Sequence, residues 1–442
     1  MGGVTTVRAI VLGVGLVGAW WPAAVAAQLS AADNHIAYYQ HLLQRNPRDA
    51  GTYYRLGDAF IRKARETGDV MYFMRAEKAL RTSLDLAPRN AGALRHLAYV
   101  FYSRHEFADA AAYATKAIAI DAENGDTYGV LGDAFLEIGR YDDADAAYAK
   151  MMDREVDLYS YGRRAGLKSL RGDVRGAIAD LERAVEIGKT AQRPPESIAW
   201  AAWQLGVEHF MIGELEAAEK WYREALAAQP NYYRALGGLA QLSAARQRLD
   251  GAVTLYRRAL SVIPLPEYAA GLGDVLTKAG RADEARKQYE LVEYIGYLNT
   301  VNRVLYNREL AYFYADHDLK LGMALELARK ELDVRQDVYA YDVLAWTLYK
   351  NGQAAEARAP MAEALKLGTK DAKLFFHAGM IAARLGHRDA AREYLTRALA
   401  TNPSFHLLHA EVARRTLRDL QDAPKETSSS GSPTDSGEAD RP

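Results

Sequence analysis

Apolar, small and polar positions follow one another along this chain with the three- and four-residue spacing of amphipathic helices, and the whole pattern then repeats. A small residue recurs at Gly57, Ala98, Gly132, Ala165, Gly206, Ala240, Gly273, Ala311, Ala345 and Gly379. Four of the nine intervals are 34 residues and two are 33. A second series of ten alanines follows, usually twelve residues behind: Ala76, Ala110, Ala144, Ala177, Ala218, Ala252, Ala285, Ala324, Ala357 and Ala391. A large residue often stands four further on, as at Tyr148, Tyr222, Tyr256 and Tyr289. These spacings predict two antiparallel helices per unit, A and B, brought close by the two small positions. Gly139, Gly172, Gly213, Gly280, Gly352 and Gly386 fall between the helices, where a left-handed cap ends helix A. Pro88, Pro230, Pro264 and Pro403 stand where helix B must stop.

A fixed period of this length is the signature of a repeat architecture, in which each unit packs on its neighbours and length adds units rather than separate cores. The pattern resembles the tetratricopeptide repeat family over roughly residues 30–420. The unit most like it runs from Trp203-Gln204-Leu205-Gly206 through Ala218, Tyr222 and Ala225 to Pro230. Two departures stand out, Arg164 where a Leu is usual and Glu331 where a small residue is usual. The resemblance implies an all-α, right-handed superhelical solenoid of about ten helix-turn-helix units with capping helices. The expected organisation is an export signal over 1–27, an N-terminal capping helix over 28–50 and units 1–4 over 51–187. An inserted loop over 188–196 follows, then units 5–10 over 197–403, a capping helix over 404–421 and a disordered tail over 422–442. The period breaks in three places, near Lys63–Asp69, at Gly188–Pro195 and near Tyr294–Val301. The second break, with Pro194 and Pro195, is expected to kink the array into two lobes.

The two ends change the picture of where the chain works. Arg8 precedes an apolar run from Ala9 to Trp21, and small residues at 23–27 come just before Gln28. This three-part pattern predicts a signal peptide cleaved after Ala26 or Ala27 and a periplasmic or secreted product, with no stable membrane span left after cleavage. The 442 residues include no Cys, so an exported chain has no disulfides and no thiol nucleophile. The stretch from Asp422 to Pro442 is rich in Ser, Thr, Gly, Pro and acids, and cannot bury enough apolar surface to order itself. The 56 Lys and Arg nearly cancel the 57 Asp and Glu, which argues against a nucleic-acid partner.

No phosphate loop, nucleophile elbow or zinc-ligand spacing is visible, so no catalytic residue, cofactor or metal is expected. His406 and His409 are three apart on the last predicted helix, a metal-compatible spacing read here as a solvated helix face. What the resemblance implies instead is a concave groove lined by the A helices, at positions three before, one after and four after the first small residue. In the front half those positions hold Tyr54, Arg95, Tyr99, Tyr102, Trp203 and Phe210, with Trp200 on the same face as Trp203. In the back half they hold Arg308, Tyr312, Asp342, Trp346, Tyr349 and Phe376, and the charge of Lys350 interleaves with them one residue beyond Tyr349. Aromatic and Arg residues dominate binding hot spots, so the expected partner is a protein or peptide segment. Aromatic rings also stack on sugars, which keeps a glycan ligand and a role in polysaccharide export open.

Overall fold

The computed structural model describes residues 30–301 and 307–422. The expected signal segment and the tail from Ala423 onward lie outside the described residues. Among the described residues there are helices and connecting turns but no strand, and no helix is long and apolar enough to cross a membrane.

Helix α1 (Ala31–Arg45) opens the array. The first four units pair α2 (Ala50–Thr67) with α3 (Met71–Leu86), α4 (Ala91–Ser103) with α5 (Phe107–Ile118), α6 (Gly125–Glu137) with α7 (Tyr141–Arg154), and α8 (Leu158–Leu170) with α9 (Val174–Thr190). Units five to seven pair α10 (Pro195–Met211) with α11 (Leu215–Ala228), α12 (Tyr233–Ala245) with α13 (Leu249–Val262), and α14 (Pro266–Lys278) with α15 (Ala282–Val301). The last three pair α16 (Asn307–Asp316) with α17 (Leu321–Val334), α18 (Val338–Lys350) with α19 (Ala354–Leu365), and α20 (Ala372–Arg384) with α21 (Arg388–Thr401). Helix α22 (His409–Asp422) closes the chain.

Every alanine of the second series is buried, and the first series shows why small residues recur there. A Cβ added at Gly132, Gly206 or Gly273 would sit 2.3–2.4 Å from the ring of Tyr148, Tyr222 or Tyr289. These are the large residues four after the helix B alanine, so each glycine opens a socket for the ring of its own partner helix. Gly57 and Gly379 do the same for Leu80 and Leu395. The A helices form the inner wall and the B helices the outer one.

Breaks in the period lengthen helices. The extra residues near Lys63 extend α2 to Thr67, and those near Tyr294 extend α15 to Val301. At the second break Gly188–Thr190 continue α9 and Pro195 starts α10, leaving only residues 191–194 as a link. Two lobes were expected here, yet α9 packs directly on α10 as consecutive units do elsewhere. The reason is that Pro195 is at the first turn of a helix, where its missing N–H costs nothing, so it starts α10 instead of prolonging a loop.

The superhelix is tight enough to touch itself. Gln336 N donates to Glu137 O at 2.9 Å and Val338 N to Tyr141 Oη at 3.1 Å. Thr369 Oγ1 donates to Leu170 O at 2.5 Å, and Asn402 Nδ2 to Phe210 O at 2.6 Å. These side-chain bonds join residues 192 to 199 positions apart, about six units at a 34-residue period. Carbonyls at the C-terminal end of an A helix have no partner within that helix, and here donors from the next turn satisfy them. The two unusual residues belong to this region or to its neighbourhood. Glu331 is buried and meets Arg335 at 3.1 Å, and Arg335 crosses to Glu137 at 2.6 Å. Arg164 instead pairs with Asp180 at 2.6 Å, within its own unit.

Candidate functional site

Two chambers lie along the inner wall. The first, about 790 Å³, is enclosed by α2, α4, α6, α8 and the α9–α10 link. Tyr54 lies stacked on His96 with ring centres 5.0 Å apart, and Tyr99 and Tyr159 add further aromatic wall. Arg65 reaches across from unit 1 to Glu196 of unit 5 at 2.8 Å and lies over the Tyr159 ring. Burial disfavours its charge, but Tyr99 and Glu196 push its pKa up, so it is a fixed cation. Arg163 is held by Asp133 at 2.8 Å, while its Nη1 is buried with no hydrogen-bond partner. The His96 Nδ1 is also buried without one. Burial, helped by Arg95 and opposed by Asp58, pulls the His96 pKa down to about 4, so the ring is neutral at physiological pH.

The second chamber, about 420 Å³, is walled by α10, α12, α14 and α16 and by the approach to α22. The Arg234 guanidinium stands 5.0 Å from the centre of the Trp203 ring, and the Lys373 ammonium 3.3 Å from that of Tyr312. Glu267 is exposed on the chamber wall yet has protein on all other sides; that enclosure, with Glu309 nearby, pushes its carboxyl up to about 7. The chamber therefore carries both signs of charge beside exposed ring faces.

Of the residues expected in the groove, Tyr54, Arg95 and Tyr99 line the first chamber, and Trp203 and Tyr312 the second. The others go elsewhere. Tyr102 packs on Phe107 and donates to Glu137, while Trp200 fills the space over Gly162. Arg308 is spent on Asp337 at 3.0 Å and Lys350 on Asp318 at 2.7 Å. Phe210, Asp342, Trp346, Tyr349 and Phe376 are buried in the core, so for them the expectation of a groove position is corrected. Phe210 packs with Ala218 and Tyr222. Trp346 and Phe376 are covered by Phe405 and α22, which fold back over the inner face of units nine and ten. His409 is buried for the same reason, although a solvated helix face was expected for it.

Chamber residues that sequence reasoning passed over share a register. Asp126, Tyr159, Arg234 and Glu267 all stand six before the first small residue, one turn earlier than the positions considered. Arg163 and His96 stand two before it. Counting one more turn back along each A helix is the signal that finds the first group.

The fold and its inner wall define the class: an all-α repeat solenoid with two chambers along its inner wall. Three stretches, 73–125, 204–269 and 343–404, match the family described as tetratricopeptide repeat. No curated protein matches the chain. Among solved structures, MamA is 23% identical over 38% of this chain and 96% of its own, with a TM-score of 0.32. A tetratricopeptide repeat protein from Parabacteroides merdae is 16% identical over 60% of this chain and 99% of its own, with a TM-score of 0.35. Yeast Tom70 is 14% identical over 88% of this chain and 93% of its own, with a TM-score of 0.38.

Proposed function

We propose that this protein is a non-enzymatic scaffold of the cell envelope that holds an extended segment of a partner protein in its first inner chamber. The observation that carries this reading is the wall of that chamber. Tyr54, Tyr99 and Tyr159 offer ring faces beside the fixed cation of Arg65, and the buried His96 Nδ1 and Arg163 Nη1 lack partners. An extended peptide supplies carbonyl oxygens for an unpaired donor and side chains for the rings, and rigid aromatic and Arg groups are those that anchor interfaces. The residues at the start of the chain support export, which puts the partner in the envelope.

A photo-crosslinking residue at position 54 of the exported protein, followed by identification of what it captures, tests the reading. A captured protein segment is expected; capture of polysaccharide alone would replace the peptide by a glycan. With the captured segment as ligand, Tyr54→Ala and Arg95→Ala are expected to weaken binding by about 2 kcal/mol with little change in melting temperature. Trp346→Ala, in the core, is expected to cost about 3–5 kcal/mol of stability instead. N-terminal sequencing of the native protein checks export: a start near Ala27 or Gln28 is expected, and an intact Met1 or Gly2 on soluble cytoplasmic protein would end that part.

A further inference from the structure

Three side chains from distant points of the sequence meet behind the second chamber. Asp316 ends α16, His377 lies in α20 and His409 starts α22, and one possible ligand atom from each lies within 4.8 Å of the others. Every one of them is fixed by a further contact. The Nδ1 of His377 is 2.9 Å from both carboxylate oxygens of Asp342, which is completely buried and also accepts from Tyr312 Oη at 2.7 Å. That carboxylate holds the His377 proton on Nδ1 and leaves the lone pair on Nε2. Asp316 Oδ1 accepts from Trp346 Nε1 at 2.7 Å. The Trp346 ring stacks on His377 at 4.1 Å, and the Phe376 ring on His409 at 4.8 Å.

The polar atoms are nevertheless left unsatisfied. His377 Nε2 and His409 Nδ1 are buried with no hydrogen-bond partner, on rings that are 0% and 5% exposed. Burying polar atoms unpaired costs free energy, and a pair of such atoms beside one carboxylate calls for an explanation. We propose that Asp316, His377 and His409 form a binding site for a divalent first-row transition metal, Zn²⁺ in the first instance.

The donor chemistry selects that class. Two neutral imidazoles and one carboxylate suit Zn²⁺, while Ca²⁺ and Mg²⁺ favour all-oxygen sites and Cu⁺ favours sulfur. Three protein ligands leave one tetrahedral position for water or a ligand atom. The Asp342–His377 pair is the carboxylate–histidine arrangement that orients a metal-binding imidazole. Tetrahedral bonds of about 2.0–2.1 Å put ligand atoms about 3.3 Å apart. His409 Nε2 already stands 3.5 Å from Asp316 Oδ1, close to that spacing.

Acidic partners hold two of the nearby cationic groups. Lys350 is neutralised by Asp318 at 2.7 Å, His317 meets Asp274 at 2.6 Å, and Lys373 lies over Tyr312. Asp316 and His406 both line the second chamber, which gives the ion a way in from solvent.

The test uses tag-free full-length protein stripped with a chelator and titrated calorimetrically with zinc chloride. Co²⁺ is added in a parallel experiment to read coordination from its visible absorption. Stoichiometric Zn²⁺ binding at micromolar or tighter affinity is expected, with a higher melting temperature and a Co²⁺ spectrum of tetrahedral nitrogen–oxygen type. His377→Gln and His409→Gln are each expected to weaken Zn²⁺ binding at least a hundredfold. Asp342→Asn, at a positioning residue, is expected to weaken it about ten- to a hundredfold. His35→Gln, on α1, is expected to leave it unchanged. Should a variant fail to fold, the wild-type titration and Co²⁺ spectrum decide alone. No binding by the wild-type protein, an octahedral Co²⁺ spectrum, or full affinity in a folded His377→Gln/His409→Gln double variant would overturn the site.

Discussion

Burial pushes the Glu208 carboxyl up to about 7; the Ser169 hydroxyl, donating at 2.8 Å, works against the rise and Asp371 adds to it. A folded-state pKa above the ordinary 4.5 means that the folded chain keeps a proton that the unfolded chain releases. Stability is therefore lost as pH climbs from about 4.5 through about 7. Glu208→Gln keeps an acceptor for Ser169 and removes the charge. The variant is expected to be more stable than the wild type by about 1–3 kcal/mol at pH 8, with the gap closing by pH 5. Thermal melts across that range check it, and an equal gap at both ends would exclude Glu208 as the cause. Residue by residue, the register was legible in the sequence and the environment was not. Tyr54, Arg95, Trp203, Asp342 and Phe376 all stand three before a small residue, yet the first three face a chamber and the last two are core. Helical spacing tells which way a side chain points along its own helix. It carries nothing about Phe405 and α22, which return from the far end of the chain to cover the inner face of two units.

Helices show the same division. The two series of small residues, the interhelical glycines and the terminating prolines all fall where the spacing places them, because each reflects contact between neighbours in sequence. The breaks in the period were harder to read. A few extra residues can form a loop or another helical turn, and Pro195 serves a helix start as readily as a link. Glycines that look alike also do different work. Gly172 and Gly352 have φ of +78° and +81°, but a Cβ on Gly172 would lie 2.5 Å from the carbonyl oxygen of Gly368 in the next superhelical turn. On Gly352 it would meet nothing within 4 Å. Gly352→Ala is expected to cost about 1–2 kcal/mol, the penalty of a left-handed backbone alone. Gly172→Ala is expected to cost clearly more, since backbone must shift as well. Urea titration of the two variants side by side measures the difference, and equal losses would mean that the contact between turns gives way freely.

At the scale of the whole molecule, Arg335 joins two turns of the solenoid by binding Glu137 on one side and Glu331 on the other. Burial raises the pKa of both acids, so removing the arginine leaves two carboxylates without their compensating charge. Arg335→Ala is expected to lower stability by about 3–5 kcal/mol and to enlarge the radius of gyration in small-angle X-ray scattering. A less stable variant of unchanged size would show that the pair acts only locally. Ordinary repeat arrays bind nearest neighbours alone, so a unit can be duplicated or lost with little penalty elsewhere. Here the turn after helix A of units one, three, four and five abuts the junction following the unit five places on: Gly68 faces Ile263, Gly139 faces Gln336, Gly172 faces Gly368 and Gly213 faces Asn402. Inserting or deleting one repeat between them would set each glycine against the wrong junction. Copy number in this protein is thus under a geometric veto, and variation is steered toward the free ends and the chamber walls.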